Sequence, residues 1–234
     1  MGKIKERKDA VQMILDLMAD RSGMKQDVYA RCRESFAMLK AELKSLADQL
    51  APAIAGRDPR LKVEYGEQGD FSAKVVIAGD TVVFSMHTNV FRLDQSNSLW
   101  QGSYLQEDQH RGYFGVVNVY NFLSDSFRYD RQRDIGYLVA RIFLNKEGHF
   151  FIQGKKQIGF LYNDLPNSIL DRSKLREVLC SILLYVLDFD LLAPPYDQVS
   201  QVTVQEMKEV EAYSMISTGK RLGFRFQADT DEIT

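Results

Sequence analysis

Between Gly136 and Tyr162, two alternating apolar runs flank Asn145-Lys146-Glu147-Gly148, and the glycine can take the positive φ that a tight loop needs. This stretch is expected to form an antiparallel β-hairpin. A hairpin cannot stand alone in water, so the rest of the chain must supply more strands and something to cover one face of the sheet.

Upstream, the strands are legible from a period of two. Leu61, Val63 and Tyr65 alternate with Lys62 and Glu64, and Phe71, Ala73, Val75 and Ile77 alternate with Ser72, Lys74 and Val76. Gly79-Asp80 makes a tight connection to Val82, Phe84 and Met86, which share a face. Tyr113 to Phe122 is apolar on both faces except at Asn118 and Asn121, the pattern of a central strand covered on each side. After the main hairpin, Ile158, Phe160 and Tyr162 read as a further strand. His87 to Gly112 is a long loop over the sheet or a ragged edge strand.

Helices frame these strands. Tyr29, Cys32, Phe36, Leu39, Leu43, Leu46 and Leu50 follow one another at spacings of three and four, with Pro52 as the terminator. This stripe is also an a/d seam lasting about three heptads, so it suits either the chain's own core or a subunit interface. Val11, Ile14, Leu15 and Met18 mark a shorter amphipathic helix, and Arg21-Ser22-Gly23 is the expected break. Two helices so joined should form an antiparallel helical hairpin. Ala51 to Pro59 reads as a linker.

Toward the C-terminus, Asp171 or Ser173 can cap a helix carrying Leu175, Val178, Leu179, Ile182, Leu183 and Val186. Leu184, Tyr185 and Leu187 widen that face, so a second helix is expected over it. Thr203-Val204-Gln205-Glu206 is a capping box with Val202 and Met207 as its staple, Gly219 is a plausible C-cap, and Arg221 to Phe226 suggests a short edge strand. The expected fold is α+β: an N-terminal helical hairpin, an antiparallel meander sheet of about five to seven strands, and two C-terminal helices. The corresponding division is 1–55 as a helical hairpin and oligomerisation element, 56–228 as the antiparallel α+β domain, and 229–234 as an acidic tail.

Charge and cysteine usage narrow the partners. Thirty basic and 32 acidic side chains are mixed along the chain, for a net charge of -2, so no global field draws in a polyanion and nucleic acid is not the expected partner. Cys32 and Cys180 both fall on apolar helix faces, which suits a reducing, cytoplasmic setting. Arg7, Lys8 and Asp9 follow the basic start at once, leaving no apolar segment for a signal, and Glu6 stands where myristoylation of Gly2 would want Ser or Thr. The apolar run Cys180 to Leu187 stops at Asp188, far short of the roughly 20 residues a bilayer requires, so no membrane association is expected.

No motif spells out a reaction. Gly66-Glu67-Gln68-Gly69 and Gly154-Lys155-Lys156 lack the spacing of a phosphate loop, and His87, His110 and His149 have no ligand partner at helical spacing. No Gly-x-Ser-x-Gly is present. Asp188, Asp190 and Asp197 suit a hard cation or, more simply, a polar helix end. Asp70, Lys74 and Asp80 fit a nuclease-like set, although a solvated strand face gives the same alternation.

The strongest polar concentration is Arg128-Tyr129-Asp130-Arg131-Gln132-Arg133-Asp134, between two apolar strands. Arginine forks suit phosphate or carboxylate, whereas Asp130 and Asp134 can neutralise them as a salt-bridged turn. His110, Arg111 and Arg141 would join them in an anion-binding mouth if all lay at one end of the sheet. Asn118 and Arg141 interrupt apolar strands and need partners or a ligand, with Tyr113, Tyr120 and Tyr137 as lining.

The reading is a cytoplasmic binding or regulatory module without cofactor or metal. It would self-associate as a homodimer, or meet another protein, through its N-terminal helices. It would bind a small anionic ligand or a peptide through Arg128, Arg131, Arg133, Arg141, Asn118, His110, Arg111 and Tyr120. The alternatives are a metal-dependent phosphate-ester hydrolase or nuclease, and a structural protein-interaction domain.

Overall fold

The structure is a computed structural model and describes residues 9–155, 157–190, 193 and 195–208. Its N-terminal part is one rod instead of a helical hairpin: α1 (Ala10–Leu17), a π-helical turn (Met18–Ser22) and α2 (Gly23–Ala55) follow without reversal. Leu17 (φ -67°, ψ -37°) and Gly23 (φ -57°, ψ -54°) are both helical. The expected break at Arg21-Ser22-Gly23 fails because none of these residues is forced out of the helical well, glycine costing only about 1 kcal/mol there. Pro52 likewise does not end α2, which runs on to Ala55, where Gly56 N–H bonds Pro52 C=O at 3.2 Å.

Among the described residues seven strands follow: β1 (Val63–Glu67), β2 (Ser72–Ile77), β3 (Asp80–Met86), β4 (Phe91–Arg92), β5 (Tyr113–Leu123), β6 (Tyr137–Leu144) and β7 (Phe150–Gly154). They pair antiparallel as a meander, β1-β2-β3-β5-β6-β7, and the short β4 also pairs with β5. The β6–β7 turn is as read: Gly148 has φ +85°, and the buried Asn145 accepts from the N–H groups of Glu147 and His149, each at 3.0 Å.

One face of the sheet meets helices. Ala73, Phe84, Val119 and Ala140 lie in one row across four strands, and all are buried. Against them pack Cys32, Phe36, Leu39, Leu43 and Leu46 of α2, so the heptad stripe belongs to the core and not to an interface. α2 approaches so closely that a Cβ at Gly115 would stand 2.6 Å from the Cys32 side chain. Burial pushes the Cys32 thiol up to about 12.

α6 (Arg172–Leu187) lies beside α2 in the same layer, started by Asp171, whose carboxylate accepts from Lys174 N–H at 2.7 Å. Across the seam the buried Glu42 meets Arg172 at 3.1 Å and Arg176 at 3.4 Å. No further helix covers α6 among the described residues, and Leu184 and Leu187 face outward.

The segment after β4 is neither plain loop nor edge strand. It folds into α3 (Ser103–Glu107) between two 3-10 turns, Ser98–Gln101 and Gln109–Gly112. Its Leu93 and Leu105 join Phe114, Val116, Phe143, Phe151 and Leu165 in a second apolar cluster on the opposite face. Two short helices are α4 (Ser124–Arg128) and α5 (Gln157–Leu161). The expected strand through Ile158, Phe160 and Tyr162 is therefore α5: Ile158 and Tyr162 are buried at spacing four while Phe160 is exposed.

After α7 (Tyr196–Val199), the capping box forms, with Thr203 Oγ1 accepting from Glu206 N–H at 3.1 Å and Glu206 accepting from Thr203 N–H at 2.7 Å. Gly219, the 221–226 strand and the acidic tail lie outside the described residues. No described helix is long and apolar enough to cross a membrane.

Candidate functional site

The second face of the sheet is covered at its two ends and open between them. At one end sits the apolar cluster under α3, and at the other sit α4 and the turn that follows it. Between them, strand pairing sets Ser72, Ser85, Asn118, Arg141 and Gln153 side by side, a polar row crossing five strands. The next row toward α4 is Lys74, Val83, Tyr120 and Leu138. Asn118, Arg141 and Tyr120 of the expected site thus do share one surface, and Arg141 has a local partner, donating to Gln153 Oε1.

The remaining expected residues do not join them in one mouth. His110 and Arg111 precede β5 and Arg128 follows it, and an 11-residue strand separates these ends by about 35 Å. Arg111 is also occupied: it donates to Glu107 and Glu147, each at 3.1 Å, and to Tyr104 C=O at 3.0 Å, and lies over the Tyr104 ring. Burial would raise the Glu147 carboxyl, but hydrogen bonds from Tyr104 and Arg111 outweigh it and hold the group below its usual range. His110 Nε2 stands 3.4 Å from Asp20. These two residues fasten the α3 segment to its surroundings.

Arg131 is buried, not displayed. Its side chain is 6 % exposed, Nε lies 2.8 Å from Asp134 Oδ2, and that same oxygen accepts from Ser126 Oγ at 2.6 Å. Nη2 of Arg131 is buried without a hydrogen-bond partner. Nearby in the sequence, Asp130 takes a positive φ of 48°, which aspartate tolerates better than most residues. This arginine holds the turn's shape, whereas Arg133 is exposed and Arg128 reaches the surface beside α4.

Arg128 opens onto a cleft of 540 Å³. Its walls come from β1, β2 and the residue before β1 (Glu64, Lys74, Lys62), from the β2–β3 turn and the start of β3 (Ala78, Gly79, Thr81), and from α4 (Ser124, Asp125, Phe127), with Arg60 at the rim. Alternation puts Glu64, Lys74 and Thr81 on the face away from α2, and the meander brings their strands together. Two of the four cations are answered: Arg60 by Asp58 at 2.7 Å and Lys62 by Glu64 at 4.0 Å. Lys74 instead lies 5.0 Å from the centre of the Phe127 ring and Arg128 5.4 Å from that of Tyr129, and neither has a carboxylate partner among the described residues. At the base, Thr81 Oγ1 donates to Ser124 Oγ at 3.3 Å; on the α2 side of the same strands, Asn121 donates to the buried Asp80 at 3.1 Å.

Sequence reasoning found Arg128 but missed Lys62 and Phe127 as neighbours of it. The alternation around Lys62 and Lys74 marked them as outward-facing; what it lacked was the strand order that carries them to α4. The nuclease-like set does not assemble either, because Asp70 and Asp80 stand at opposite ends of the six-residue β2, about 20 Å apart. No group of three His, Cys, Asp or Glu residues is arranged to share a metal ion among the described residues.

No protein-family model, curated protein or solved structure matches this chain.

Proposed function

We propose that this protein is a binding module whose cleft between β1, β2 and α4 takes a small anionic ligand. The observation that carries this reading is the pair Lys74 and Arg128, two cations that face the same cleft, rest on aromatic rings and form no ion pair with a carboxylate among the described residues. A guanidinium and an ammonium approaching from two walls suit a phosphate or carboxylate group, the first through its fork and the second as a point charge. Thr81 and Ser124 add hydroxyls at the base. The polar row through Asn118 and Arg141 then offers a continuation for the rest of a ligand longer than its anionic group.

Titration calorimetry with inorganic pyrophosphate tests the cleft directly. Binding is expected for the full chain, and Lys74→Ala with Arg128→Ala together should weaken it at least about tenfold, or 1.4 kcal/mol. The effect should shrink with added salt, since both cations are near solvent. The same double substitution at Arg111 and Arg131 is not a fair control, because both support the fold; Arg133→Ala, on the exposed turn, should leave binding unchanged. Equal affinity in the Lys74/Arg128 variant would dismiss the cleft as the site.

A further inference from the structure

The apolar stripe that seats α2 on the sheet runs on past the sheet's corner. Leu43 is fully buried and Leu46 is 6 % exposed, but Leu50 is 37 % exposed, and Leu50, Ala53 and Ile54 carry the same spacing of three and four to the helix end. There α2, the sheet and the end of α6 part around a cavity of 280 Å³. Val63 and Ile77 line it from the strands and Leu187 from α6. Ala53 stands at the stripe position where a leucine would follow Leu43, Leu46 and Leu50, so a methyl group lines the hollow where a longer side chain would fill it.

Eight of the ten lining residues are apolar, and the two charged ones, Arg57 and Lys62, are both basic. A water held against such walls lacks the two to four polar partners it needs. Arg57 is exposed and forms no ion pair among the described residues, because the neighbouring Asp58 is taken by Arg60 at 2.7 Å. Lys62 meets Glu64 at 4.0 Å in an exposed pair that holds it only weakly. The negative end of α2 is capped: the carbonyls of Pro52 and Ile54 accept from the N–H groups of Gly56, Arg57 and Asp58.

We propose that this cavity holds the tail of a medium-chain carboxylic acid, with the carboxylate at Arg57 and within reach of Lys62. At about 30 Å³ for each water-sized group, the hollow takes about nine such groups, the tail of decanoate. The walls gain by burying that tail, and the guanidinium fork suits its carboxylate. A compact anion would leave the apolar walls uncovered, and a hydrocarbon without a charge would leave Arg57 unanswered.

The cavity lies on the α2 side of the sheet corner, whereas the anionic cleft lies on the other side, and the proposal uses neither Lys74 nor Arg128. Titration calorimetry of the full chain with hexanoate, octanoate and decanoate, each kept below its micellar range, should show affinity rising roughly two- to fourfold per methylene. Octanoate should bind at least about tenfold more tightly than octanol, and Arg57→Ala should remove that preference. Ala53→Phe, at an exposed position, should weaken decanoate at least about tenfold while leaving the thermal unfolding midpoint and pyrophosphate binding unchanged. No binding below the micellar range, affinity flat along the series, or parity of octanol with octanoate would each overturn the proposal. So would loss of decanoate binding in the Lys74/Arg128 variant, which would put the acid in the cleft instead.

Discussion

The two faces of this sheet are made from the same strands and differ by one residue of phase. The row Ala73, Phe84, Val119 and Ala140 is sealed by α2 and α6, while the neighbouring row Ser72, Ser85, Asn118, Arg141 and Gln153 is left between two lobes. A covered face gains by excluding water, so its residues are apolar and interchangeable within a shape. An open face keeps polar groups that can exchange water for a ligand, and the basic cleft is at its α4 end. The larger core lies on the first face, and the anion-binding site proposed above lies on the second.

The sharpest way to break this comparison is to empty each face in turn. Phe36→Ala, on the sheet-facing side of α2, should cost about 3–5 kcal/mol in urea unfolding, because a fully buried ring leaves a cavity. Tyr120→Ala on the open face should cost no more than about 1 kcal/mol. Equal costs would mean that the open face is covered in solution. A smaller effect is expected at the β6–β7 turn, which ties the two sides together: Asn145→Ala leaves two backbone N–H groups without their acceptor and should cost about 1–3 kcal/mol by the same measurement. The smallest concerns the wall of the cleft. Ala78 takes a positive φ of 52°, so Ala78→Gly should stabilise by about 0.5–1 kcal/mol in thermal unfolding if that backbone is held there in solution.

The fold was legible where one period dominates a segment. Alternation located β2, β3 and β6, and the turns at Gly79-Asp80 and Asn145–Gly148 set the directions of the two hairpins, because a two-residue period leaves few registers that bury Val75, Phe84 and Ile142 together. It failed where two readings share residues. Ile158, Phe160 and Tyr162 satisfy spacings of two and of four, and α5 wins because Ile158 and Tyr162 then fill the core while Phe160 turns out. The N-terminal break was misread because Gly23 permits a turn without requiring one. The candidate site was legible only in part. Arg128 stood out by concentration, but Lys62, Lys74 and Phe127 are ordinary surface residues in sequence and become neighbours only through strand order.

The π turn at Met18–Ser22 carries its own consequence. Such a turn is an α-turn holding one residue too many, so everything on its N-terminal side is rotated by about one residue's step relative to a plain helix. In sequence, Leu15 keeps the seven-residue rhythm of Tyr29, Phe36 and Leu43, and Val11 and Met18 keep that of Cys32, Leu39 and Leu46. In space the extra residue disengages them, as a slipped tooth disengages a gear: the rhythm that seats α2 on the sheet does not govern where α1 points its apolar side. A plain α-helix over the same five residues would re-engage the two halves and swing the whole arm's apolar face to a different bearing, leaving its composition untouched.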